Sequence, residues 1–335
     1  MFCIKNHCQS PQKLLPKLVS ETQSAFMSDR LISDNILVAF ETLHHLKNKR
    51  KCKEGLMAIK LDMSKAYDRV EWIFLEKLME KLGFPTRWIS LISSCIRSVS
   101  FSILVNGESH GYFKPNRGLW QRDPLSPYLF LLCAEGLYSL IQQAELSGSI
   151  KGVSLSSAGP KVSHLFFADD SLLFCRATTH ECNTILDILH QYEEGLGQKI
   201  NQGKTQLFFS PNIANHMQQE IKSLLGVAVT TNYEKYLGLP SFVGRAKKQS
   251  FNYIREQIWH KMQGWKERLL SQGGREVLIK VVLQAMPTLT MGCFKLPKSL
   301  CNDIESLIRK FWWGYKGEAR KTHWVAWEKL SLLKS

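Results

Sequence analysis

Three carboxylates stand out because of what surrounds them. Asp62 ends the apolar stretch LMAIKLD, and the adjacent pair Asp169–Asp170 lies between two apolar stretches in VSHLFFADDSLLFC. Carboxylates are hard oxygen ligands suited to Mg2+, and two such ions about 4 Å apart can clamp the attacking and leaving oxygens of a nucleotidyl transfer. Each residue also has an ordinary explanation: Asp62 as a cap for the helix that follows, Asp169 and Asp170 as turn residues. The context favours metal, because neighbouring carboxylates held between apolar strands repel one another unless a cation is bound between them.

For these residues to meet, neighbouring strands of one sheet must carry them. In residues 56–62, Met57, Ile59 and Leu61 alternate with Ala58, Lys60 and Asp62, a strand pattern that sets Asp62 on the face opposite the apolar one. Trp72, Leu75, Leu78, Met79 and Leu82 recur at helical spacing, and Gly83 with Pro85 supplies the stop. A helix around 88–96 leads to alternating Val99, Phe101, Ile103 and Val105, and Asn106–Gly107 then predicts a hairpin. Residues 124–143 read as a buried helix, followed by a hairpin with Asp169 and Asp170 at its tip. Cys182, Ile185, Leu189, Tyr192 and Leu196 mark an amphipathic helix over 180–196, and TQLFF is a further strand. This order predicts an α+β fold in which a mixed sheet carries helices on one face. Beyond Gly244 the pattern turns helical through Phe251, Ile254, Ile258, Met262, Trp265 and Leu269, with Gly273–Gly274 as a break. A domain boundary is expected near 240–245.

The chain has 335 residues, 44% of them hydrophobic and 22% charged, within the globular range. Its 44 Lys and Arg against 29 Asp and Glu leave a net charge of +15, which favours an anionic partner, nucleic acid first. Residues 245–335 hold 18 Lys or Arg against 7 Asp or Glu, together with six of the nine tryptophans: Trp259, Trp265, Trp312, Trp313, Trp324 and Trp327. Rings alternating with cations suit a stacking and phosphate-binding surface; core tryptophans beneath solvated lysines are the alternative. The run KNKRKCK (47–53) reads as a phosphate-binding or nuclear-import signal, or as a solvated loop. Nine scattered cysteines without C-x-x-C signal neither a disulfide framework nor a zinc site. The longest apolar run, Tyr128 to Ile141, contains Glu135 and is too short to span a bilayer. A soluble intracellular protein of the nucleus or cytoplasm, without membrane contact, is expected.

The stretches LDMSKAYDRVEW (61–72), GLWQRDPLSPYLFLLCAEGL (118–137) and FADD (167–170) resemble successive polymerase motifs of non-LTR reverse transcriptases of the plant long interspersed type. LVSETQSAFMSDRLISDNILVAFE (18–41) is similar to a fingers segment, and GLGQKINQGKTQLFFS (195–210) and YLGLP (236–240) resemble motifs after the catalytic hairpin. The resemblance implies a right-hand polymerase palm over 55–244, a partial fingers region over 1–54 and a basic, helical, thumb-like region over 245–335. It implies an RNA-directed DNA polymerase that uses an RNA template, a DNA primer, deoxynucleoside triphosphates and two Mg2+ ions, with Mn2+ as a substitute. No protein partner is implied. Residue by residue, Asp62 and Asp169 are implied as metal ligands, helped by the Met63 carbonyl, with Asp170 a supporting carboxylate. Tyr67 is implied as the steric gate against a 2′-hydroxyl, Gln121 as a neighbour of the nascent base pair, Arg30 as a contact to the triphosphate, and Lys204 as a donor to the leaving pyrophosphate.

The chain also departs from the family pattern. Where the family has RQGDP, this sequence has Trp120-Gln121-Arg122-Asp123-Pro124, and the family's PGR is Ser28-Asp29-Arg30. MFCIKNHCQSPQK does not resemble the usual upstream fingers segment, so part of the fingers is expected to be missing, as are endonuclease and ribonuclease H domains and a C-terminal Cys/His cluster. These departures open a second reading: a catalytically inactive remnant that binds nucleic acid through its basic C-terminal surface.

Overall fold

The strand pattern at 56–62 is realised as β1 (Leu56–Leu61). In this computed structural model, which describes residues 15–50, 54–156, 159–230, 235–244, 246–266, 270–313 and 325–330, two ladders of the first 233 residues stand apart from the sheet that contains β1. They are the hairpin of β2 (Phe101–Val105) and β3 (Glu108–Phe113), and the short pair β4 (Val153–Ser154) and β5 (Lys161–Val162). The main sheet adds β6 (His164–Phe167), β7 (Asp170–Arg176), β8 (Gln206–Phe209) and β9 (Ala228–Val229). Its order is β6-β7-β1-β8-β9, antiparallel except for the parallel β8–β9 pair, so it is a mixed sheet as predicted. Asn106 and Gly107 turn the β2–β3 hairpin with both φ angles positive.

Among the described residues, a short helical stretch at 15–18 and these longer helices accompany the strands: α1 (Ile32–Asn48), α2 (Trp72–Lys81), α3 (Thr86–Arg97), α4 (Ser126–Leu146), α5 (Thr179–Leu196) and α6 (Asn215–Leu225). Local chemistry sets their ends. Thr178 caps α5 by accepting the Glu181 N–H, and Gly197 at φ 75° terminates it. Met57, Ile59 and Leu61 of β1 enter one core with Leu75 and Met79 of α2, Leu129 and Leu132 of α4, and Ile185 and Leu189 of α5. Ala58, Leu172, Phe174 and Phe208 alternate with that set and are buried outside the core. α1 packs against β6 and β1 and buries Ile36, Ala39, Leu43 and Leu46, so it covers the second face. Lys60 is the only half-buried member of β1.

Upstream of α1, the chain extends the sheet edge. Gln23 pairs in parallel with Phe166, whose N–H donates to the Thr22 carbonyl (3.0 Å) and whose carbonyl accepts from Ser24 (3.2 Å). Residues of the expected fingers region are thereby joined to the sheet.

The chain divides into two compact units, Met1–Tyr233 and Glu234–Ser335. The second contains the β10 (Lys235–Tyr236) and β11 (Leu239–Pro240) pair, so YLGLP goes with it, about ten residues before the composition shift. These strands pair with each other and not with the main sheet. Then come α7 (Lys247–Lys266), α8 (Gln272–Leu278), a π-helical turn (Ile279–Leu283), α9 (Thr288–Cys293), α10 (Lys298–Trp313) and α11 (Trp327–Leu330). Phe251, Ile254, Ile258, Met262, Leu283, Leu300 and Phe311 form their core. Gly273 and Gly274 do not break a helix but sit in the first turn of α8, because Ser271 caps it and accepts the Gly274 N–H (3.2 Å). Trp265 packs on Phe311 (5.8 Å between ring centroids) and Trp312 joins the same core, so the core alternative holds for those two rings, whereas Trp259 is exposed. Trp324 and the end of KNKRKCK (51–53) lie outside the described residues. Among the described residues no helix is long and apolar enough to cross a membrane.

Candidate active site

β1 runs antiparallel to β7 with Leu61 opposite Ser171, so Asp62, the next residue, falls beside Asp170. Phe167 pairs with Asp170 across a two-residue turn, Ala168–Asp169. Asp169 is exposed in that turn, while Asp170 and Asp62 are half-buried. Burial pushes the Asp170 carboxyl up; Lys60 opposes the shift, and the charges of Asp169 and Asp62 add to it. The three carboxylates therefore share one electrostatic field. Tyr67 feels it as well, its phenol pushed up to about 12 by burial and then by Asp169.

Backbone pairing fixes what surrounds Asp62. Its N–H donates to the Thr205 hydroxyl (3.3 Å) and its carbonyl accepts from the Asn201 N–H (2.8 Å). Met63 bridges to Ile200, and the Ser64 N–H donates to the Lys199 carbonyl (2.8 Å). The 199–205 loop thus lies along 62–64 and brings the exposed Lys204 to the same end of the sheet. The Tyr67 ring stacks flat on Phe130 (4.6 Å, 14°). Its carbonyl accepts from Leu119, and the Val70 carbonyl accepts from Gly118, both at 2.8 Å. Gly118 is needed there: φ is +94°, and a Cβ would stand 2.8 Å from the Asp68 carbonyl oxygen.

That pairing sets Gln121 two residues beyond Leu119. Gln121 is exposed and lines an open groove of about 560 Å3 with Asp68, Phe101, Arg117, Trp120 and Arg122. Trp120 packs on Phe101 (3.9 Å, 33°), which stacks on Phe113 (5.1 Å). Arg122 adopts φ +73°, the left-handed region where the family's glycine would be at ease. Arg30 is engaged elsewhere: its guanidinium donates to the Val19 carbonyl (3.2 Å) and to those of Ser20 and Gln23. The preceding Asp29 has φ +69°.

Two residues at the site were not singled out in the sequence, although both lie in stretches that resemble family motifs. Buried Gln198 donates its amide N–H to the Ala66 carbonyl, next to Tyr67, and buried Gln23 accepts the Ala168 N–H (3.1 Å). A glutamine in the interior reads in sequence like one on the surface.

Among the described residues no group of three His, Cys, Asp or Glu is arranged to hold a metal ion by itself. The donor set still fits Mg2+, which is commonly bound by one or two carboxylates plus substrate phosphates and keeps several waters. Asp170 is raised first by burial and then by the charges of Asp169 and Asp62, and a cation among the three would offset that second contribution.

Residues 3–253 match the family model described as reverse transcriptase (RNA-dependent DNA polymerase). The chain belongs to the reverse transcriptase family. Over 68 residues, 20% of its length, this reverse transcriptase chain is 47% identical to an uncharacterized mitochondrial protein of Arabidopsis thaliana, covering 56% of that protein. Over 330 residues, 94% of its length, it is 21% identical to the transposon TX1 uncharacterized 149 kDa protein of Xenopus laevis, covering 23% of it. A structure of telomerase from Candida albicans in complex with a fragment of telomeric RNA is similar over 91% of this chain and 50% of that one, at 15% identity and a TM-score of 0.45. The chain thus spans less than two thirds of each of these proteins.

Proposed function

We propose that this chain is the polymerase portion of a plant-type non-LTR retrotransposon reverse transcriptase, an RNA-directed DNA polymerase that adds deoxynucleotides to a DNA 3′ end on an RNA template. The observation that carries this reading is the meeting of Asp62 with Asp169 and Asp170 at adjoining ends of β1 and β7. Two Mg2+ ions, replaceable by Mn2+, would activate the primer hydroxyl and stabilise the leaving pyrophosphate. Asp62, Asp169 and the Met63 carbonyl would hold them, with Asp170 in support. Tyr67, braced by Phe130, walls off the 2′ position of the sugar, and Gln121 lies against the nascent base pair. Lys204 delivers a proton or charge to the leaving group. Arg30 reaches the triphosphate only by releasing its three carbonyls. The basic residues of 245–335 serve as a thumb-like contact to template and primer phosphates, so binding weakens with salt.

A catalytically inactive remnant is the second reading, favoured by Arg122 at φ +73° and by the engaged Arg30. Primer extension on an RNA template with Mg2+ separates the two. Extension that is lost in Asp169→Ala supports the polymerase. Extension seen only after Trp120→Arg with Arg122→Gly points to a sound metal site silenced by motif decay. No extension from any version supports the remnant.

A further inference from the structure

Gln23 is fully buried, and its side-chain oxygen accepts two backbone N–H groups, those of Ala25 (3.0 Å) and Ala168 (3.1 Å). The second bond spans 145 positions and ends on the turn residue immediately before Asp169. Ala168 stands at φ +52°, a conformation that L residues adopt only when the surroundings impose it. Met63, Phe130 and Gln198 line the same small cavity as Ala168 and Asp169, but the hydrogen bonds onto this strand end come from residues 22–35. The backbone of residues 22–24 clamps Phe166 on both sides, and Asn35 donates to the same Phe166 carbonyl (3.0 Å). The side-chain nitrogen of Gln23 has no hydrogen-bond partner among the described residues. An apolar side chain of similar size would fill the space without an orphan donor, so the position needs a polar residue only for its acceptor oxygen.

We propose that Gln23 is a positioning residue for the carboxylate turn: its oxygen sets the Ala168–Asp169 backbone and with it the direction in which Asp169 presents its carboxylate. The hold on the turn stands on geometry alone. Its consequence for catalysis rests on the polymerase reading, where small displacements of a reacting constellation cost large factors in rate.

The test compares the whole chain with Gln23→Met, which keeps the size and removes the acceptor, and with Gln23→Glu, which keeps the acceptor. Two readouts are taken: amide hydrogen exchange along 166–196 and primer extension on an RNA template. In Gln23→Met, exchange at Ala168, whose N–H loses its acceptor, is expected to quicken about tenfold while β7 and α5 stay protected. The same variant is expected to lose about tenfold or more in kcat with KM for the nucleotide little changed, and Gln23→Glu to recover protection and most of the rate. Unchanged exchange at the turn overturns the proposal, as does loosening spread through β7 and α5, which would make Gln23 an ordinary core residue. Selective opening of the turn with undiminished extension also overturns it. If the unmodified chain does not extend a primer while Gln23→Met still opens the turn selectively, the polymerase reading fails and the hold on the turn is supported.

Discussion

At φ +73°, Arg122 is followed directly by Asp123, whose carboxylate accepts the Leu125 and Ser126 N–H groups (2.7 and 3.3 Å) at the start of α4. The Asp123 N–H also donates to the Trp120 carbonyl (3.4 Å), closing a turn with Arg122 at its third position, where a positive φ is required. An L residue held there costs about 1–2 kcal/mol. Glycine removes that cost but adds unfolded-chain entropy of about 0.5–1 kcal/mol. The Arg122 side chain is exposed and forms no ion pair with a described residue, so little else is lost. Arg122→Gly is therefore expected to stabilise the first unit by about 0.5–1 kcal/mol, or about 1–4 °C in Tm for a unit of this size. Arg122→Ala, which keeps the strain, should gain nothing. Thermal melts of the three proteins in one buffer, checked by urea midpoints at constant slope, read the difference. An Arg122→Gly protein that melts at or below the parent refutes the argument, and so does an alanine variant that gains as much as glycine. Trp120→Arg should act in the opposite sense, losing ring contact with Phe101 worth about 0.5–1.5 kcal/mol. The doubly repaired chain should then match the parent in stability, and any gain in primer extension would reflect chemistry at the groove and not better folding.

Three further outcomes are expected. Burial raises the Glu135 carboxyl above its ordinary value of 4.5, although its oxygen accepts the Ser20 N–H (3.1 Å) and hydroxyl (3.0 Å). The folded state then holds more protons than the unfolded one in the window above 4.5, so Glu135 lowers stability as pH rises through that window. Glu135→Gln keeps the acceptor and removes the titration, so its advantage in Tm should be absent near pH 4 and present near pH 7; an advantage independent of pH rejects this. Asp170→Asn should raise stability in a chelator at neutral pH, because it removes a carboxyl pushed up by burial and by Asp169 and Asp62. It should also weaken the stabilisation by Mg2+, about 1.4 kcal/mol at tenfold excess over Kd in the parent; equal Mg2+ shifts in both proteins count against a shared carboxylate site. Gly118→Ala should cost about 1–3 kcal/mol in chemical denaturation through its positive φ and the clash with Asp68, and a neutral result would contradict the close approach.

How much was legible depended on how local the cause was. The Asp169–Asp170 hairpin was readable because apolar strands flank it directly, and the β2–β3 hairpin because Asn106–Gly107 demands its own turn type. Alternation in β1 suggested an open face at Ala58; a small residue says nothing of what covers it, and α1 does. Gly273–Gly274 looked like a break because the pattern weighs glycine's low helix propensity and not the Ser271 cap that admits both into the first turn. Arg30 matched a motif, but its hydrogen bonds to three carbonyls follow from how residues 19–30 curl, which periodicity does not encode. Gln23 lay in a stretch that matched a motif, but its contact was unreadable for the same reason, since its partner is 145 positions away.

The two substitutions in the groove differ in physical kind, and the difference bears on whether this chain has decayed. Trp120 has been accommodated: its ring lies on Phe101, itself stacked on Phe113, so the β2–β3 hairpin and the segment after Gly118 are tied together by aromatic contact. Arg122 has not: it occupies a glycine conformation, exposes its side chain and gains no described ion pair in return. The strain at Arg122 is not offset by any described contact, whereas the Trp120 ring is packed. The reversions therefore need not be made together. If Arg122→Gly alone restores extension, the lesion is one strained backbone position beside Gln121 and the tryptophan is tolerated; if Trp120→Arg is required as well, the aromatic tier itself obstructs the groove where the base pair would form.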